Sequence, residues 1–99
     1  VTIDQELLHD VAAQVRWMLG SRRTPTTWQR FEEALAALQK AHAAGDTAAV
    51  EKVLYELELL SRRVSEKLGQ EPEEPTPRVR DRANELVHTL LPDEAEEDA

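Results

Sequence analysis

The sequence has no cysteine, three glycines and four aromatic residues (Trp17, Trp28, Phe31 and Tyr55) among its 99 positions. Without cysteine there are no disulfides, no thiolate metal sites and no cysteine nucleophile. Three glycines and five prolines are too few for a sandwich or barrel rich in turns. No apolar run approaches the ~20 residues that would span a bilayer. The N-terminus lacks a basic region followed by an apolar run, so no secretory signal is expected and the expected compartment is cytoplasmic. There is no Gly-rich phosphate loop, and Ser21, Ser61 and Ser65 lie in no nucleophile motif. His9, His42 and His88 fall on three separate predicted helices, and none has a second ligand at zinc-like spacing. No catalytic residue, metal or cofactor is therefore expected, and the chain reads as a non-enzyme.

Acid outnumbers base, 20 Asp+Glu against 12 Lys+Arg, for a formal charge of -8. That balance speaks against general nucleic-acid binding, which needs clustered cation for phosphate. The charge is unevenly placed. Asp93, Glu94, Glu96, Glu97 and Asp98 put -5 on the segment 92–99, and Glu71, Glu73 and Glu74 put -3 on the stretch 70–76, neither with any Lys or Arg. The rest of the chain is balanced. Both acidic runs read as solubilising, disordered segments, or as electrostatic tethers for a basic partner.

What remains is helical. At 11.2 kDa the area scaling buries roughly two-thirds of the unfolded surface, enough for one modest core. Thr2 with Gln5 forms a capping-box pair for a first helix, with Ile3, Leu7, Leu8, Val11, Ala12, Val15, Met18 and Leu19 on one face and Gly20 as its left-handed stop. Thr24 and Pro25 open a second helix striped by Trp28, Phe31, Leu35, Leu38 and His42. Gly45 ends it, and Asp46 caps a third, striped by Val50, Val53, Leu54, Leu57, Leu60, Val64 and Leu68 and ended by Gly69. Thr76 and Pro77 repeat the start signal for a fourth, carrying Val79, Ala83, Leu86, Val87, Leu90 and Leu91 and stopped by Pro92. The expectation is an all-α, antiparallel bundle over 1–91, with helices at about 3–19, 25–44, 47–68 and 77–91, followed by an acidic disordered tail over 92–99. Its core should include Val11, Val15, Trp28, Phe31, Leu35, Leu38, Val53, Leu57, Leu60, Leu86 and Leu90.

Some residues fall off these stripes. Trp17 lies about 140° from the centre of the first apolar face at 100° per residue. Tyr55 and Leu59, one turn apart, lie on the far side of the third helix, and Ala48 extends their strip. Such side chains either lie over the bundle edge with their polar ends in water, or form a partner or dimer surface. Arg78, Arg80 and Arg82 crowd a helix N-terminus, where positive charge opposes the dipole by a few tenths of a kcal/mol. Their nearest acids in sequence are those of the linker, so a linker contact is expected, with a partner contact as the alternative. High salt should then loosen the linker. Asn84 and His88 form an i, i+4 pair on the last helix.

The order of landmarks is informative. Thr24-Pro25 with Trp28, the Ala44-Gly45-Asp46 hairpin and the run Leu57-Glu58-Leu59-Leu60 are followed by a proline-bearing linker. Then comes Pro77-Arg78-Val79-Arg80-Asp81-Arg82-Ala83-Asn84-Glu85-Leu86-Val87-His88. From about Leu7 to Leu91 this resembles the CATRA-associated small protein family of bacteria. The resemblance implies a small accessory component of bacterial conflict, or antiphage defence, systems, beside larger proteins with caspase-like protease and repeat modules. It implies no enzymatic role. Trp28, Asp46, Asn84 and His88 fall on matching landmarks, and the acidic tail is not part of the pattern.

The expected function is thus an adaptor or regulator binding a larger protein of the same defence cassette, either the caspase-like protease or its repeat-containing partner. Trp17, Tyr55, Leu59, Arg78, Arg82, Asn84 and His88 are the interface candidates. The alternatives are a homodimeric (or otherwise homo-oligomeric) interaction domain of another pathway, and a protease substrate or inhibitor presenting Arg22-Arg23 or the acidic linker. No membrane and no specific nucleic acid is expected as a partner.

Overall fold

A computed structural model describes residues 3–62 and 71–92. It contains four helices: α1 (Gln5–Leu19), α2 (Pro25–Ala44), α3 (Thr47–Arg62) and α4 (Pro77–Leu90). There is no strand among the described residues. The expected extension of the third helix to residue 68, its Gly69 stop and all of the expected tail over 92–99 except Pro92 lie outside them.

Local chemistry explains the helix ends. Thr24 accepts from the Thr27 N–H and Thr76 from the Val79 N–H, each with proline at the first helical position. Such caps satisfy amides that have no partner within the helix. Gly45 ends α2 at φ 68, a left-handed conformation that a Cβ disfavours. The Asp46 N–H reaches back to the Ala41 carbonyl at 3.0 Å, and the Asp46 carboxylate accepts from the Ala49 N–H at 3.1 Å. One residue thus closes α2 and opens α3. After α4, Leu91 sits at φ -131, ψ 67, outside the helical region that the following Pro92 disfavours.

α1 departs from expectation at both ends. Its N-cap is Asp4, which accepts from the Glu6 N–H, so the helix starts at Gln5 and not at Thr2–Ile3. Ile3 is nonetheless buried and belongs to the core. Gly20 has φ -87, so the helix does not end through a left-handed glycine. Instead the Gly20 and Ser21 N–H groups close short turns onto Trp17 and Met18, and the Ser21 hydroxyl donates to the Met18 carbonyl at 2.7 Å.

The stripes meet in one core. All eleven expected core residues are buried, with Val11, Val15, Phe31, Leu38 and Leu57 fully enclosed. Trp28 and Phe31 pack edge to face, 5.4 Å between ring centroids. α1 and α2 each touch both α3 and α4, whereas α1 and α2, like α3 and α4, sit diagonally opposite. Arg30, Glu33 and Ala34 lie across from Glu56, Leu59 and Leu60, so α3 doubles back along α2 from the Gly45 turn. The α2/α4 pair does not follow the expected antiparallel packing of neighbours. Glu32 meets Arg78 and Arg82, and further along Leu35 and Gln39 meet Leu86 and Thr89, so α4 runs beside α2 in the same sense. α4 thus runs opposite to α3, as an up-down succession gives, and the long connection over residues 63–76 lets it pack across the bundle on α1 and α2 instead of on α3.

Candidate functional site

The first structured feature outside the core is the approach to α4. The acidic stretch was expected to be disordered, but its residues 71–76 are docked. Glu73 and Arg23 exchange both backbone hydrogen bonds, at 3.0 and 2.8 Å, as an isolated antiparallel bridge. The Trp28 indole N–H donates to the Glu73 carbonyl at 2.8 Å, and the Arg22 guanidinium donates to the Pro72 carbonyl at 3.1 Å. Pro75 is buried. The Arg22 guanidinium and the Trp28 indole both donate to main-chain carbonyls and the remaining contacts are main-chain or apolar, so the backbone is pinned while the acidic side chains stay exposed. None of these contacts uses a linker carboxylate, and the neutral main-chain and indole hydrogen bonds among them are little weakened by salt screening.

Arg78 and Arg82 are not turned to those linker acids. Both meet Glu32 on α2, each at 3.8 Å. Arg78 is 80% exposed and Glu32 28%, so these are solvent-screened pairs that favour the α2/α4 contact modestly.

Trp17 is 57% exposed. The Arg23 guanidinium lies over its ring, 5.4 Å from the centroid, and Arg23 also donates to the Ser21 hydroxyl at 3.0 Å. Trp17 forms one wall of a shallow groove between α1 and α3, with Ala13, Gln14, Glu58, Ser61 and Arg62. The floor is tied across the helices by a hydrogen bond from the Gln14 amide to the Ser61 hydroxyl, which itself donates to the Leu57 carbonyl at 2.7 Å.

Tyr55 and Leu59 are 60% and 43% exposed on the outer face of α3. Leu59 borders a second groove, between α3 and α2. Asn84 and His88 sit together on α4, with Glu85 and Thr89, around a surface depression lined by no other helix. Both are exposed and lie off the α4 apolar stripe. The seven interface candidates therefore occupy separate surfaces: Trp17 on the α1/α3 groove, Tyr55 and Leu59 on α3, Arg78 and Arg82 at the α2/α4 seam, and Asn84 and His88 on outer α4. The residues that sequence reasoning missed are Glu73, Pro75 and Glu32, which act through contacts distant in sequence. One signal was available: a buried Trp needs a partner for its indole N–H, and Trp28 has none within its own helix. Among the described residues no three His, Asp or Glu gather at metal-binding distance, and no helix is long and apolar enough to cross a membrane.

Among the described residues these features define a small all-α protein with four helices, one core and several distinct exposed surfaces. The chain belongs to the CATRA-Associated Small Protein family, whose sequence profile matches residues 8–94. No curated protein and no solved structure matches it.

Proposed function

We propose that the protein is a non-enzymatic, cytoplasmic helical adaptor or regulator. It binds a larger protein of the same bacterial defence cassette, one that carries caspase-like protease or repeat modules. The observation that carries this assignment is family membership across nearly the whole bundle: the family is described as small and associated with CATRA. The exposed Trp17 beside a polar groove supports it, because a large aromatic ring on a rigid helix is a common anchor of protein interfaces.

The test is co-expression of the full chain with the caspase-like protein encoded beside it, followed by size exclusion with light scattering. A joint peak of summed mass is expected, diminished by Trp17→Ala. Separate elution of the two proteins at their own masses overturns the assignment. Cleavage of this chain by such a protease is disfavoured at Arg22-Arg23. A protease groove binds its substrate as an extended strand through main-chain hydrogen bonds. The Arg23 N–H and C=O are both already engaged by Glu73. Intact mass after incubation with the protease should be unchanged.

A further inference from the structure

From the contacts around Glu73 we infer a docking site for an extended, acidic, proline-bearing segment. It lies at the corner where the α1–α2 connector enters α2, and residues 72–75 fill it as an internal ligand. A partner's segment of the same chemistry enters by displacing them. The inference is independent of the adaptor assignment.

The internal ligand is preset by its sequence. Three of the five prolines of the chain, Pro72, Pro75 and Pro77, fall within residues 71–77. Proline fixes its own φ, and the residue before it is pushed to extended backbone. Glu71-Pro72, Glu74-Pro75 and Thr76-Pro77 therefore favour an extended chain, and Thr76 has φ -65, ψ 159. The spacing of Pro72 and Pro75 is one turn of a polyproline helix. Such a segment has little conformational freedom left to lose on docking, which suits it to aromatic-lined grooves.

The corner supplies the matching donors. The Glu73 carbonyl accepts from the Arg23 N–H at 3.0 Å and from the Trp28 indole N–H at 2.8 Å. The Arg22 guanidinium donates to the Pro72 carbonyl at 3.1 Å, and the Glu73 N–H donates to the Arg23 carbonyl at 2.8 Å. Every one of these bonds addresses main-chain atoms of the segment. Of residues 71–75 only Pro75 is buried. The site thus reads a path of backbone and one proline two residues beyond the doubly bonded carbonyl, not the residues between. A segment of another protein that follows this path makes the same bonds. Arg22 and Arg23 beside the path favour acidic flanks, as in the internal ligand. That ligand is tethered, so its effective concentration is roughly millimolar and an incoming segment binds weakly until it is released.

The full chain carrying Pro75→Asp should open the site, because a carboxylate replaces the one buried residue of the internal ligand and no residue of the corner changes. Glu73→Pro should open it a second way, by deleting the N–H that bonds Arg23. The probe is a fluorescent peptide of residues 71–77, read by polarisation, with helical circular dichroism recorded for each chain. The opened chains should bind it saturably below about 1 mM, and at least about tenfold more tightly than the wild type. Adding Trp28→Phe should weaken that binding about fivefold, the loss of one hydrogen bond. A peptide carrying Pro75→Asp should not bind. No binding to either opened chain overturns the inference. So does equal binding to the wild type and both opened chains, and so does binding indifferent to Trp28→Phe.

Discussion

α3 and α4 occupy equivalent places, diagonally opposed and each packed on both α1 and α2. Their inward faces match: Val50, Val53, Leu57 and Leu60 on one, Val79, Ala83, Leu86, Val87 and Leu90 on the other. Their outward faces differ. α4 shows water Asp81, Asn84, Glu85, His88 and Thr89, whereas α3 shows Tyr55 and Leu59 among its charges. Since α4 fulfils the same packing role with no large apolar side chain exposed, the fold does not require the apolar pair on α3. The two helices are also attached differently. α3 follows α2 through one tight turn, and α4 is approached through a backbone clamp on the α1–α2 connector.

The equivalence of the inward faces can be broken most forcefully in the core. Leu57→Ala and Leu90→Ala should each lose about 2–5 kcal/mol in urea unfolding. A loss confined to Leu57→Ala would show that α4 is peripheral and not an equal wall of the bundle. The contrast in attachment comes next. Gly45→Ala should cost about 1–2 kcal/mol through left-handed strain. Gly20→Ala, at φ -87 with only ordinary contact to the Trp17 carbonyl at 3.7 Å, should cost nothing measurable. Trp28→Phe removes the hydrogen bond to Glu73 and should cost about 1 kcal/mol. It should also speed proteolysis within residues 71–75 while leaving the α2–α3 turn protected. A fourth comparison concerns the outer faces. Leu59→Ser and His88→Ser should both leave stability within about 0.5 kcal/mol, as solvent-facing substitutions do. A larger loss from Leu59→Ser would place that side chain in the fold after all. The smallest effect is expected of Glu32→Gln, a few tenths of a kcal/mol, vanishing at high salt as screened surface pairs do.

Much of the fold was legible because its signals are local. Thr24-Pro25, Thr76-Pro77, Gly45 and Asp46 act on amides and carbonyls a few residues away, so sequence alone locates those ends. The core stripes were equally plain, down to Phe31 and Leu57. What escaped depends on distance. The clamp joins Arg23 to Glu73 through main-chain atoms, which have no residue signature, and the three glutamates around it suggested only solvation. Arg78 and Arg82 were matched to the nearest acids in sequence, but their partner, Glu32, is brought close only by the sense in which α4 lies on α2. The sense itself is the one an up-down succession gives; what was hidden is that α4 packs on α2 and not on α3, since a connection as long as 63–76 lets it cross the bundle. The Thr2–Gln5 spacing pointed to a cap at Thr2, whereas the observed cap is Asp4, whose carboxylate accepts from the Glu6 N–H. The candidate surfaces were legible as exposed side chains, since Trp17, Tyr55 and Leu59 break their stripes. Their separation onto different sides of the bundle was not.

The Arg23–Glu73 bridge also has a mechanical meaning. Tension applied to α4 from its C-terminal end travels along the helix to Glu73 and passes there, through two main-chain hydrogen bonds and the Trp28 indole, into the joint between α1 and α2. α3 lies off that load path. A partner that grips α4 and pulls would therefore strain the α1–α2 joint first, and the outer face of α3 would keep its shape until the bridge gave way.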